Sequence, residues 1–186
     1  MRRFLTSITL GLLVACSSQS DSRVESTQLE QGKKIAQASF SALSAKLTKA
    51  MGNDGPEGAV EFCSLEALPL TDSLSKHFGA TIKRSALKYR NAKNKPDSSE
   101  LAALVKYSEE IGQGIKPEPY VINVNGQERF IAPIPTKTLC LSCHGIPGVN
   151  ITEPVEAKIN DIYPRDLAIG FQEGDLRGIW SITFNP

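Results

Sequence analysis

The sequence predicts an α+β fold, an antiparallel sheet with flanking helices and a long N-terminal helix. Three observations predict it. Apolar residues recur at helical spacing through residues 29–79 and again after residue 97. Two strand-like runs flank Asn125-Gly126, the dipeptide of a tight hairpin. A last apolar run containing Trp180 closes the chain. Helices, then a hairpin, then a closing strand is the order of an α+β domain, and no internal repeat interrupts it.

Each element has its own justification. Arg2 and Arg3 precede an apolar run from Phe4 to Ala15 that is too short to span a bilayer and reads as an export signal over residues 1–15. It ends in Leu13-Val14-Ala15-Cys16, which resembles a bacterial lipobox, so Cys16 is the expected lipidation site. Ser17 and Ser18 carry no acidic retention signal, which favours an outer-membrane anchor facing the periplasm. Residues 16–28 are Ser-rich and polar, and are expected to form a flexible tether; residues 29–186 form the domain. From Leu29 to Met51, Ile35, Ala38, Phe40, Leu43, Leu47 and Ala50 predict a helix that Gly52-Asn53-Asp54-Gly55 stops. Pro56 suits a first helical position, and the next helix is expected to reach about Leu68, with Ala59, Val60, Cys63 and Ala67 on one face. Thr71-Asp72-Ser73 opens a short helix that ends at Gly79. Ala80–Tyr89 reads as a strand and Asn91–Pro96 as a loop. Asp97-Ser98-Ser99-Glu100 reads as a capping box before a helix with Leu101, Leu104, Val105 and Ile111 apolar. Strands over 120–124 and 127–131 follow, then a Pro- and Gly-containing stretch, then a strand from about Leu176 to Phe184.

The totals exclude some functions. The formal net charge of +1 becomes −1 once Arg2 and Arg3 are removed. No basic stripe or aromatic-basic alternation points to nucleic acid. No second long apolar run exists, so the lipid is the expected membrane attachment.

The chemistry centres on Cys140-Leu141-Ser142-Cys143-His144. Cys-x-x-Cys-His is the attachment sequence of c-type haem, and composition alone would produce it in roughly one chain in a thousand. Its two thiols add to the two vinyl groups of one porphyrin, and His144 becomes the proximal iron ligand. With Cys16 lipidated, one thiol, Cys63, is left over, and an odd count argues against a disulfide framework. The other side of the iron is open to Cys63, His77, Met51 or no ligand. His77 follows Ser75-Lys76 near a helix end, where a solvated histidine is common. Met51 abuts the glycine-rich turn and suits packing. Cys63 sits on an apolar face, as a small buried hydrophobe or as a soft thiolate ligand. Zinc is a weaker alternative, because Cys143 and His144 are adjacent whereas zinc ligands come in spaced pairs. A redox dithiol lacks a thioredoxin-like context.

Several further motifs stand in order around the pentapeptide. They are Glu61-Phe62-Cys63-Ser64, Ile82 to Asn91 (IKRSALKYRN), Asn94-Lys95-Pro96-Asp97 and Tyr163 to Phe171 (YPRDLAIGF). With the pentapeptide they resemble the PAS-like c-type haem domain family, long classed as a domain of unknown function, over roughly Leu29 to Phe184. The resemblance implies a PAS-like sheet, one covalent haem c, and an axial pair that here falls on His144 and Cys63. It also implies the stand-alone rather than the sensor-module type, since no transmitter domain follows. Where the family commonly has Pro after the Asn of the Arg-Asn segment, this chain has Ala92.

Haem propionates need cationic or hydrogen-bonding partners. Lys83, Arg84, Lys88, Arg90 and Tyr89 are the candidates, and arginine suits a carboxylate best because its fork reaches both oxygens. Tyr163 is a further donor candidate, Asp166 is expected to cap a turn, and Trp180 is expected in the core. The expected function is electron transfer or redox sensing with a partner protein. Gas sensing through ligand exchange at Cys63 is the alternative, and a peroxidase-type enzyme a more distant one, because six ligands leave no open position on the iron.

Overall fold

The computed structural model describes residues 18–185, with the side chains of the first helix described from residue 26 onward. The export signal and Cys16 lie outside the described residues. Helix α1 spans Ser18–Leu65, α2 Ala67–Phe78, α3 Ser98–Gly112, α4 Leu141–His144 and α5 Glu153–Ile162. Strands β1 (Ala80–Ser85), β2 (Tyr120–Val124), β3 (Gln127–Pro135) and β4 (Leu176–Phe184) form one antiparallel sheet in the order β1-β4-β3-β2. Among the described residues no helix is long and apolar enough to cross a membrane.

The sheet has two packed faces, set by the alternation of side chains along each strand. On one face Ile82, Phe130, Ala132, Trp180, Ile182 and Phe184 meet Ile35 and Ala36 of α1. On the other, Ile131 and Ile179 meet Ala103, Leu104 and Tyr107 of α3. Trp180 is buried core, as expected. A third cluster joins Val60 of α1 to Ile151, Val155 and Ile159 around α5, with Cys143 and Tyr163 packed against it.

Three boundaries differ from expectation. The stretch expected to be a tether over residues 16–28 is helical from Ser18. Gln19, Arg23, Glu25 and Gln28 support a helix there, and extending a helix anchored by packing costs far less than starting one. The expected stop falls at Gly55 alone, whose φ of 68° breaks the helix while Gly52, Asn53 and Asp54 stay in it. The second limb then ends at Leu65, and α2 starts at Ala67 rather than at Thr71. Thr71 lies inside α2, where its hydroxyl donates to the Ala67 carbonyl at 2.7 Å.

Strand β1 is shorter than expected because its partner ends. Ser85 faces Ile179 as the last pair, and the Ala86 N–H turns to the Asn94 carbonyl at 3.2 Å. The capping box forms as expected: Asp97 accepts from the Glu100 N–H, and the Glu100 carboxylate accepts from the Asp97 N–H. Asn125 (φ 54°) and Gly126 (φ 84°) make the expected hairpin turn. Helix α5 was not expected, since its stretch reads as a Pro- and Gly-containing connection.

Candidate functional site

The pentapeptide forms one turn of helix. A 3-10 turn over Thr138–Cys140 leads into α4, which ends at His144. Cys140 and Cys143, three residues apart, share a side of this turn, and both are half-buried free thiols. Gly145 must follow, because a side chain there would strike Asn150 and the Leu141 carbonyl at 2.5 and 2.7 Å.

Cys140, Cys143 and His144 line one cavity with Cys63, Met51 and Leu47 of α1, Arg84 of β1, and Tyr89, Arg90, Tyr163 and Arg177. The structure thus brings together residues 47 to 178 of the sequence. Cys63 reaches the cavity because α1 buries Ala59 and Val60 on the same face, as the helical spacing predicts. Burial pushes the Cys63 thiol up from its ordinary pKa, while Arg84, Arg90 and Arg177 pull it down. Burial likewise pushes the Cys143 thiol up to about 11.

His144 is held in one orientation. Its Nδ1 lies 2.8 Å from the Ala168 carbonyl, which accepts only if Nδ1 carries the proton. That leaves Nε2 with a free lone pair, the state a metal-binding imidazole needs. Burial, then Arg177 and Arg90, holds the ring well below the usual histidine range and therefore neutral. The Ala168 carbonyl is itself positioned by Asp166, whose Oδ1 accepts from the Ala168 N–H at 2.8 Å. Asp166 caps this turn, as expected. It also has a role the sequence hides: its Oδ2 accepts from Arg90 Nη2 at 2.9 Å. The same Nη2 donates to the Cys143 carbonyl at 2.6 Å. Arg90 therefore ties the pentapeptide to the 166–168 segment. Its Nε is buried without a hydrogen-bond partner.

The candidate propionate contacts divide. Arg84, Tyr89 and Arg90 line the cavity. Lys83 does not: it points to the opposite sheet face, where its Nζ meets the Glu100 carboxylate at 2.6 Å and the Lys95 carbonyl at 2.9 Å. Lys88 also lies outside, exposed, with its Nζ 5.2 Å from the centre of the Phe171 ring. His77 is not at the cavity, and packs edge-on against Phe78 at 4.7 Å. Met51, set aside as a packing residue, lines the cavity wall.

Arg177 is the residue that sequence reasoning missed. Strict alternation back from Ile179 would send it to the α3 face. A register shift opposite Ile134 and Pro135 displaces β4 there, so Leu176 and Ile179 both pack on the α3 side while Arg177 and Gly178 line the cavity. An extra strand residue that re-aims a side chain is a known device beside functional sites.

Three guanidinium groups thus line the cavity, and among the described residues Asp166 is the one carboxylate that pairs with any of them. The Arg84 side chain makes no hydrogen bond or ion pair among the described residues. Arg177 has one neutral acceptor, the Lys88 carbonyl at 3.2 Å. Burial, then Arg90 and Arg84, pushes Arg177 down to about 10. Such an arrangement is costly without an anion to complete it. The donor set fits a flat apolar group that carries carboxylates and a metal: two thiols on one turn, a neutral imidazole, a further soft sulfur and unmatched arginines. Among the described residues no cluster of three or more His, Cys, Asp or Glu side chains closes on a point to hold a bare ion.

Comparison with known proteins bears on the family and the fold. No curated protein matches. A crystal structure of the cyanobacterial haem-protein Tll0287 is similar, with a TM-score of 0.56 and 20% identity over 80% of this chain and 94% of that one. The identity is low, so the likeness is one of fold. The model of the Tll0287-like family (Tll0287) matches residues 16–185, nearly the whole chain. The chain belongs to the Tll0287-like family.

Proposed function

We propose that this protein is a single-haem c-type cytochrome of the bacterial cell envelope that exchanges single electrons, in electron transfer or redox sensing. One observation carries the proposal: the Cys140–His144 turn opens onto a cavity that also holds Cys63 and three arginines, of which Arg84 and Arg177 have no carboxylate partner among the described residues. A bound haem supplies an iron that takes up and gives up one electron. Cys140 and Cys143 hold it through thioether bonds. His144 presents Nε2 to the iron, kept in that tautomer by the Ala168 carbonyl. Cys63 would supply the second iron-binding side chain, and its anionic sulfur would favour the ferric state. Arg84 and Arg177, with Tyr89 and Tyr163, receive the propionates. The fold of the haem-protein Tll0287 and membership of its family support the same reading. Cys16 carries the lipid that tethers the domain to a membrane, the outer one by the absence of an acidic retention signal.

The test is the intact mass of the denatured protein made in a host competent for cytochrome c assembly. The expected mass is that of the processed chain plus one haem, lost in Cys140→Ser/Cys143→Ser. A wild-type mass without haem would overturn the proposal.

A further inference from the structure

Three segments meet beside the cavity, which Ala86, Tyr89, Arg90, Asn91 and His144 line: residues 86–93, 144–150 and 165–171. Backbone bonds lace them together. The Leu167 N–H donates to the Tyr89 carbonyl at 3.3 Å, Gly170 to Gly145 at 2.8 Å, and Phe171 to His144 at 3.0 Å. Their outward side chains are apolar. Ile146, Val149, Leu167 and Ile169 are 39, 75, 48 and 36% exposed. Leu167 and Ile169 flank the buried Ala168, so an extended chain turns both outward. Leu87 is exposed beside Lys88, whose Nζ lies 3.5 Å from the Ile169 carbonyl. Exposed apolar side chains gathered on segments that backbone bonds hold together suit an interaction site.

The unpaired charge on the three segments has one sign. The charged residues of the three segments are Lys88, Arg90, Lys93, Arg165 and Asp166. Arg90 and Asp166 bind each other, so three cations and no anion remain. The next carboxylates along the chain, Asp97, Glu153, Asp161 and Glu173, lie beyond the segment ends; Asp97 pairs with Arg129 and Glu173 accepts from the Thr138 hydroxyl. The whole chain is nearly neutral, so this basic character is local.

We propose that this patch docks an electron-carrier protein whose own redox centre is ringed by carboxylates around an apolar middle. The proposal rests on the haem reading above and deepens it. A second copy of this chain is disfavoured, because it would set cations against cations. An anionic bilayer would match the charge, but its lipids themselves accept no electron leaving beside the Cys140–His144 turn. In the encounter one electron leaves the reduced protein and reduces the partner's oxidised centre; no atom or proton moves. The cations speed the encounter and the apolar side chains hold it.

The experiment uses the full haem-loaded protein, reduced, and two oxidised probes: an acidic plastocyanin and a basic mitochondrial cytochrome c. Transfer rates are read by stopped flow at low and high salt. The expected rate to plastocyanin falls about tenfold or more as salt rises, and falls by about as much at low salt in Lys93→Glu/Arg165→Glu. The basic probe shows the opposite salt trend. Val149→Ser slows the plastocyanin reaction at high salt, where steering is screened. A neutral quinone oxidises every variant at the wild-type rate. Plastocyanin rates that ignore both salt and the charge-reversal variant would overturn the docking surface. So would binding to phosphatidylglycerol vesicles, lost in that variant, with no effect on plastocyanin. Failure of the haem reading looks different: no haem spectrum and no electron exchange with any probe.

Discussion

Lys83 and Arg84 are neighbours on β1, yet they meet opposite fates. Lys83 points to the α3 face and finds Glu100, which is 1% exposed and also accepts the Asp97 N–H. Arg129 of β3 completes that network by donating to Asp97 and Ser99 at 2.7 and 2.8 Å. Arg84 points to the α1 face and finds a cavity with Arg90, Arg177 and almost no negative charge. One region closes its own charge balance; the other leaves it open. Burying an ion without its counter-ion is costly, so the closed region reads as structure and the open one as a site awaiting an anion. Composition treats the Lys83–Arg90 run as one basic cluster. Strand alternation splits it.

The largest effect that would break this contrast is Lys83→Met. It leaves Glu100 buried without its cation and should cost about 3 kcal/mol, or a fall in Tm of roughly 10 °C. A urea titration checks it, and a change under about 0.5 kcal/mol would show that the pair is not structural. Next is Asp166→Asn. Arg90 keeps the Cys143 and Ala168 carbonyls, so the loss should be smaller, about 2 kcal/mol. It should also blur the His144 orientation, seen as a mixed ferric spectrum in the haem-loaded protein. Arg84→Met/Arg177→Met should do the reverse of Lys83→Met. In haem-free protein it should leave stability unchanged or raise it by about 1 kcal/mol, since it removes unmatched charge. In haem-loaded protein it should lower the unfolding temperature relative to wild type. Equal destabilisation with and without haem would contradict an anion-receiving role. The smallest effect concerns pH. Burial alone would raise Asp97, but the Glu100 N–H, Arg129 and Ser99 outweigh it and hold Asp97 at about 2. A lowered carboxyl pKa stabilises the fold fully above the unfolded value near 4, and the gain is lost as pH falls through about 2. Asp97→Asn should therefore flatten stability between about pH 4 and pH 2, by at most about 1 kcal/mol because the side chain is solvent-exposed.

Much of the molecule was legible where local chemistry decides. The Asp97–Glu100 box, the Asn125-Gly126 turn and the single turn at Cys140–His144 each follow from a few adjacent residues. The shared face of Ala59, Val60 and Cys63 follows from helical spacing. Helix α5 was legible in principle: Thr152 precedes Glu153-Pro154, and Val155, Ile159 and Ile162 fall at helical steps. The surrounding Pro and Gly residues masked it. Arg177 was not legible, because only a register shift between two strands decides which face it takes. The division of Lys83 from Arg84 needed to know that a sheet lies between a packed helix and a cavity. The Arg90–Asp166 bond joins residues 76 positions apart and leaves no local trace.

The central claim is that Cys63 and His144 hold one iron between them. The most direct test is the ferric absorption and electron paramagnetic resonance spectrum of haem-loaded Cys63→Ser against wild type. Loss of a low-spin thiolate signature, with the haem still covalently attached, is the predicted result. Spectra identical to wild type would contradict it.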